Sequence, residues 1–137
     1  MSTDADPQKP LVLVVDDFSD TRTMYAEFLE FSGFRVIEAS DGYEALAQVA
    51  ARKPDIVVMD LSLPGIDGWT ATRRIKADPA TAHIPIIAVF GHSGSEIEEA
   101  REAGCVDCLV KPCMPDDLVD RIRAVLAAGA GAPVGAG

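Results

Sequence analysis

Basic residues are scarce in this chain, with 12 Lys and Arg against 22 Asp and Glu and a formal net charge of −10. A protein that grips a phosphate backbone needs clustered positive charge, so direct nucleic-acid binding is not expected. No apolar run approaches the roughly 20 residues that cross a bilayer. The opening residues, Met1-Ser2-Thr3-Asp4-Ala5-Asp6-Pro7, carry acids where a signal peptide needs a basic start and an apolar stretch. The expectation is a cytoplasmic protein without membrane contact. Cysteine is sparse and odd in number, at Cys105, Cys108 and Cys113, which argues against disulfide stapling in such a compartment. The spacing Cys105-x-x-Cys108 is that of half a zinc or redox site. A second such pair is missing and no helix begins directly after it, so small, partly buried thiols beside a strand are expected instead. Neither a GxGxxG nor a Walker loop is present, which removes the common nucleotide-binding readings.

What the chain does have is enough length and apolar content for one domain. Its 137 residues are 48% hydrophobic, and a domain of that size buries about two-thirds of its unfolded surface. Short apolar blocks alternate with stretches of helical period. The pattern predicts strands at Leu11–Val15, Arg35–Glu38, Asp55–Met59, Pro85–Phe90 and Asp107–Val110. Between and after them it predicts helices: one through Met24, Phe28 and Leu29, then Tyr43–Ala51 with Leu46, Val49 and Ala50 on one face. Further helices are predicted at Asp67–Ala77, Ser95–Glu102 and Pro115–Ala127, the last through Leu118, Ile122 and Leu126. Gly33, Gly42, Gly68 and Gly104 fall between elements. Strands alternating with helices imply an α/β fold, a parallel sheet wound on both faces by right-handed crossovers. Continuously apolar strands suit that burial. The expected folded unit is 10–127, flanked by disordered segments at 1–9 and in the Ala/Gly-rich tail 128–137.

The chemistry gathers at strand ends. The first strand runs into Asp16 and Asp17, the third into Asp60, and the fifth into Lys111-Pro112. In a parallel sheet these ends share one edge, where ligands bind. Three carboxylates repel one another and are costly to bury unpaired, so the group is expected to recruit a divalent cation or keep one proton. With a lysine opposite, the set suits phosphoryl chemistry. Singly, Asp16 and Asp17 could be helix caps and Asp60 a turn former ahead of Pro64. Together, at one edge, a site is the better reading.

Four segments, Val14-Val15-Asp16-Asp17, Ala39-Ser40-Asp41-Gly42-Tyr43-Glu44-Ala45-Leu46, Asp60-Leu61-Ser62-Leu63-Pro64-Gly65-Ile66-Asp67-Gly68 and Lys111-Pro112, occur in the order and spacing of a known pattern. The chain resembles a response-regulator receiver domain of two-component signalling, of the stand-alone chemotaxis-regulator kind, from about Leu11 to Leu126. The resemblance implies a (βα)5 flavodoxin-like, doubly wound parallel five-stranded sheet of strand order 2-1-3-4-5. It implies a phosphoprotein rather than an enzyme, in which Asp60 accepts a phosphoryl group from a histidine kinase or histidine phosphotransfer protein of a phosphorelay. Asp16, Asp17, Asp60 and the Ser62 backbone carbonyl would hold Mg²⁺, and Lys111 would offset charge on the far side of the phosphoryl group. Its peptide to Pro112 is one that can be cis. A downstream protein would bind the fourth and fifth helices and the strand between them.

Two positions depart from the family. The fourth strand normally ends in Ser or Thr and here ends in Phe90. Three residues before the lysine, where Tyr or Phe is usual, stands Cys108. Phe90 is expected to take the volume that the missing ring would fill, keeping the pocket packed but losing a hydroxyl to phosphoryl oxygen. Ser93 offers a hydroxyl only from a rearranged loop. The Gly91 N–H remains available, and Ser62 and His92 occupy positions that flank the phosphoryl group. His83 reads as a turn residue and Trp69 as a packing residue and fluorescence reporter. A haloacid-dehalogenase-type phosphatase would need a second Asp two residues after Asp60, where Ser62 stands. The altered switch positions keep one alternative open, a pseudo-receiver that binds partners independently of phosphorylation.

Overall fold

β-Branched and long aliphatic residues build the middle of this protein. In the computed structural model, which describes residues 8–63, 65–91 and 95–129, the strands are β1 (Leu11–Val15), β2 (Arg35–Ala39), β3 (Ile56–Asp60), β4 (Ile86–Phe90) and β5 (Asp107–Val110). The helices are α1 (Ser19–Phe31), α2 (Gly42–Arg52), α3 (Gly68–Ala77), α4 (Ser95–Ala103) and α5 (Pro115–Gly129). The strands pair in parallel in the order β2-β1-β3-β4-β5. Every residue of β1, β3 and β4 is buried, as expected where helices cover both faces.

Two cores result. On one face Leu13, Met59, Ile86 and Phe90 meet Ala45 and Val49 of α2, Ala71 and Ile75 of α3 and Ala100 of α4. On the other Val12, Val14, Val58 and Ile87 meet Tyr25, Ala26 and Leu29 of α1 and Leu118, Val119 and Ile122 of α5. Two helix faces differ from the sequence expectation. Met24 is exposed, and α1 buries Tyr25 and Ala26 beside the expected Leu29. Ala50 is likewise exposed, while α2 buries Gly42, Ala45 and Val49. The rest of each expected face holds, with Leu29 and Val49 buried and Phe28 and Leu46 packed against the cores.

Part of the quoted sequence pattern is structural. Asp41 caps α2, accepting from the Glu44 N–H (2.8 Å), while Glu44 reaches back to the N–H of Ser40, the residue before the cap (2.9 Å). Asp67 caps α3 through the Thr70 N–H (2.8 Å). The disorder expected of residues 1–7 and 130–137 lies outside the described residues. The Lys9 carbonyl accepts a hydrogen bond from Arg35 Nε (2.9 Å), and α5 runs to Gly129. Among the described residues no helix is long and apolar enough to cross a membrane.

Candidate functional site

The chain order reverses at β1, which pairs with β2 on one side and β3 on the other. Val15 pairs with Met59, so the residues that follow, Asp16 and Asp60, come side by side at the carboxyl edge, where the crevice of such a sheet opens. Asp16 and Asp60 are buried and Asp17 is exposed. Oxygens from all three carboxylates lie within 4.8 Å of one another, the one such cluster of potential metal ligands among the described residues. An all-oxygen, anionic donor set of this kind fits a hard divalent cation.

Each acid is also held by its own turn. Asp16 Oδ1 accepts from the Phe18 N–H (2.9 Å), and its backbone N–H donates to the Ala39 carbonyl (3.1 Å). Arg22 of α1 donates from Nη1 to the Asp16 carbonyl (2.9 Å) and pairs through Nε with Glu38 on β2 (3.0 Å). Asp60 Oδ1 accepts from the Ser62 N–H (3.0 Å). The turn-forming role and the site role therefore coexist in the same side chains. Behind Asp60, Gly68 packs so closely that a Cβ there would come within 2.5 Å of the Asp60 carbonyl oxygen and 2.7 Å of the Leu61 Cα. Gly65, in the intervening loop, has φ +77°, a left-handed conformation that favours glycine.

Lys111 arrives from two strands away. Its backbone N–H donates to the Phe90 carbonyl (2.7 Å), and Nζ crosses the end of β4 to Asp60 Oδ2 (3.0 Å). The Lys111–Pro112 peptide is cis. Burial pushes the Asp16 carboxyl above its ordinary range. The neighbouring charges of Asp60 and Asp17 push the same way, against the Phe18 N–H and Lys111. The site thus favours added positive charge.

The other expected residues divide. Phe90 is fully buried in the core layer that Cys108 packs against. Ala88 and Cys108 are register partners, so the ring and the thiol are diagonal neighbours on one face. Gly91 is exposed at the end of β4, and His92 and Ser93 lie outside the described residues. His83 is an exposed turn residue, and Trp69 is half-buried against the core. All three thiols are free cysteines. Cys105 is buried beside the Thr72 hydroxyl with its pKa pushed up to about 11 by burial, and burial raises Cys108 and Cys113 as well. Such thiols stay protonated at neutral pH.

Sequence reasoning missed Arg22 and Tyr25. Tyr25 is buried and its hydroxyl donates to the Cys113 carbonyl (2.7 Å). Its signal was present, because Tyr25 lies at helical spacing from Leu29 just as Met24 does from Phe28.

The family model described as "Response regulator receiver domain" matches residues 12–123. The phosphate regulon transcriptional regulatory protein PhoB of Pseudomonas aeruginosa is 39% identical over 117 residues, 84% of this chain and 51% of that protein. The polar-differentiation response regulator DivK of Brucella anthropi is 32% identical over 117 residues, 84% of this chain and 94% of that protein. The chain thus spans about half the length of the first relative and nearly all of the second. Among solved structures, chemotaxis response regulator CheY4 of Vibrio cholerae superimposes with a TM-score of 0.81 at 28% identity, covering 86% of this chain and 99% of that one.

Proposed function

The chain belongs to the response regulator receiver domain family, and from that premise we propose that it is a phosphorylatable receiver that accepts a phosphoryl group on Asp60. The donor is a histidine kinase or histidine phosphotransfer protein. The observation that carries the reading is the Lys111 Nζ contact with Asp60 Oδ2 opposite a three-carboxylate cluster, a charge arrangement suited to a transferred phosphoryl group. An Asp60 carboxylate oxygen attacks phosphorus. A P–O bond forms as the donor's P–N bond breaks, and the imidazole leaves and takes up a proton. The Ser62 N–H holds Oδ1 and Lys111 holds Oδ2, so the carboxylate is oriented before the donor arrives. Asp16, Asp17, Asp60 and the Ser62 carbonyl are the residues that would hold Mg²⁺, which when bound neutralises charge on the carboxylate and phosphoryl oxygens. Lys111 and the Gly91 N–H meet the remaining phosphoryl oxygens.

Output is binding of a protein partner on the α4–β5–α5 face, with weak or rerouted coupling to phosphorylation. The family hydroxyl is replaced by a fully buried ring at Phe90, and the position of the mobile ring is held by Cys108, packed against the same core. The same two residues favour a second reading, a pseudo-receiver that binds regardless of phosphorylation. Incubation with Mg²⁺ and acetyl phosphate followed by intact-mass measurement separates the two. A phosphoryl increment on the wild type and none on Asp60→Asn supports phosphoryl acceptance; no increment on either supports the pseudo-receiver.

A further inference from the structure

Lys111 is a long, flexible side chain on a loop, with its head partly open to solvent, so something must hold its backbone in place. One tie is the Lys111 N–H to the Phe90 carbonyl. The residue after it, Pro112, has no N–H to give. The next tie is the Cys113 carbonyl, which accepts from the Tyr25 hydroxyl at 2.7 Å. Tyr25 and Cys113 are 5% and 8% exposed, so the bond is protected from competing water. A cavity of about 570 Å³ lies between α1 and this loop, with Asp16, Tyr25, Lys111, Cys113 and Met114 on its walls. The Tyr25 hydroxyl meets the loop at the wall of this cavity.

We infer that the Tyr25 hydroxyl is a positioning group for Lys111, tying the lysine's loop to α1, the helix that follows directly on the turn carrying Asp16 and Asp17. Packing alone does not require the hydroxyl, because Phe fills nearly the same volume. A buried phenol must find an acceptor, and this one finds the carbonyl two residues from the lysine that contacts Asp60. One helix thereby sets the spacing between the acids and the ammonium. Tyr25 touches no reacting atom; it acts through Lys111. The inference rests on the reading that Asp60 accepts a phosphoryl group.

The test is a double-mutant cycle. Phosphoryl incorporation from acetyl phosphate is timed for wild type, Tyr25→Phe, Lys111→Met and the double variant, with Mg²⁺ affinity measured by calorimetry for each. Tyr25→Phe should slow incorporation about tenfold, the scale of a lost buried hydrogen bond, while Mg²⁺ affinity stays at the wild-type value. In the Lys111→Met background the same substitution should change the rate by less than about twofold, because residues acting as one unit are not additive. Tyr25→Leu, which also lacks the hydroxyl, should show the same split. An unchanged rate in Tyr25→Phe overturns the inference, as does an equal loss in both backgrounds, which would mark a general structural role. A wild type that takes up no phosphoryl group at all overturns the phosphoacceptor reading and the inference with it, and is seen before any substitution is compared.

Discussion

Asp16 shows how one residue carries opposing demands. Its carboxyl secures the turn into α1 through the Phe18 N–H, yet burial and the charges of Asp60 and Asp17 raise its pKa. A carboxyl that binds its proton more tightly in the folded than in the unfolded chain stabilises the fold below its unfolded pKa, and that contribution is lost as pH rises through the folded value. At neutral pH without divalent cation the Asp16 charge therefore costs stability. Asp16→Asn should raise the metal-free Tm at pH 7 by a few degrees and remove most of the Tm increase that Mg²⁺ gives the wild type. A lower Tm for the metal-free variant would contradict this. Tyr25 behaves in the same sense at higher pH. Burial, followed by the charges around Cys113, Asp16 and Asp60, pushes its phenol up to about 12 from 10.0, so the hydroxyl remains a donor throughout the neutral range. Stability contributed by the neutral phenol is complete below pH 10.0 and declines towards about 12. In a Tyr43→Phe background, ultraviolet titration should find the remaining phenol ionising near 12; a midpoint near 10.0 would mean that Tyr25 is not buried as described.

At the level of elements, α3 separates two kinds of requirement. Asp67 caps its first turn, and Asp67→Ala should cost about 1 kcal/mol in chemical denaturation while leaving the acids in place. Gly68 sits against the Asp60 carbonyl and the Leu61 Cα, so Gly68→Ala must move backbone rather than a side chain. It should cost more than the cap variant, about 2 kcal/mol or above, and weaken Mg²⁺ binding as well, which Asp67→Ala should not. Equal behaviour of the two would argue against the tight packing of α3 on β3. Such distinctions were only partly legible in the sequence. The alternation of apolar blocks and helical stretches located all ten elements, because burial on both faces leaves a simple pattern. It could not orient α1 and α2, where small and apolar residues sit on adjacent helical positions. Beside Phe28 and Leu29, Met24 and Tyr25 are equally good candidates for the buried face until the sheet beneath them chooses.

For the molecule as a whole, the acids and the lysine were readable as strand ends, but their meeting depends on register. Val15 opposite Met59 is a long-range pairing, and nothing local in either strand specifies it. The tie from Tyr25 to Cys113 spans 88 residues and was invisible for the same reason. The substitutions at Phe90 and Cys108 were readable only against the family pattern; the structure adds that the ring is fully buried beside the thiol's layer. The protein thus combines a three-carboxylate edge with a fully packed core at Phe90. Its chemistry and its output are expected to be separable. The most direct test is to record backbone amide chemical shifts with Mg²⁺, before and after adding beryllofluoride as a phosphoryl mimic. Large changes confined to residues around Asp16, Asp17, Asp60 and Lys111, with small ones along α4, β5 and α5, are expected. No change at the acidic edge, or equally large changes across α4, β5 and α5, would contradict the account.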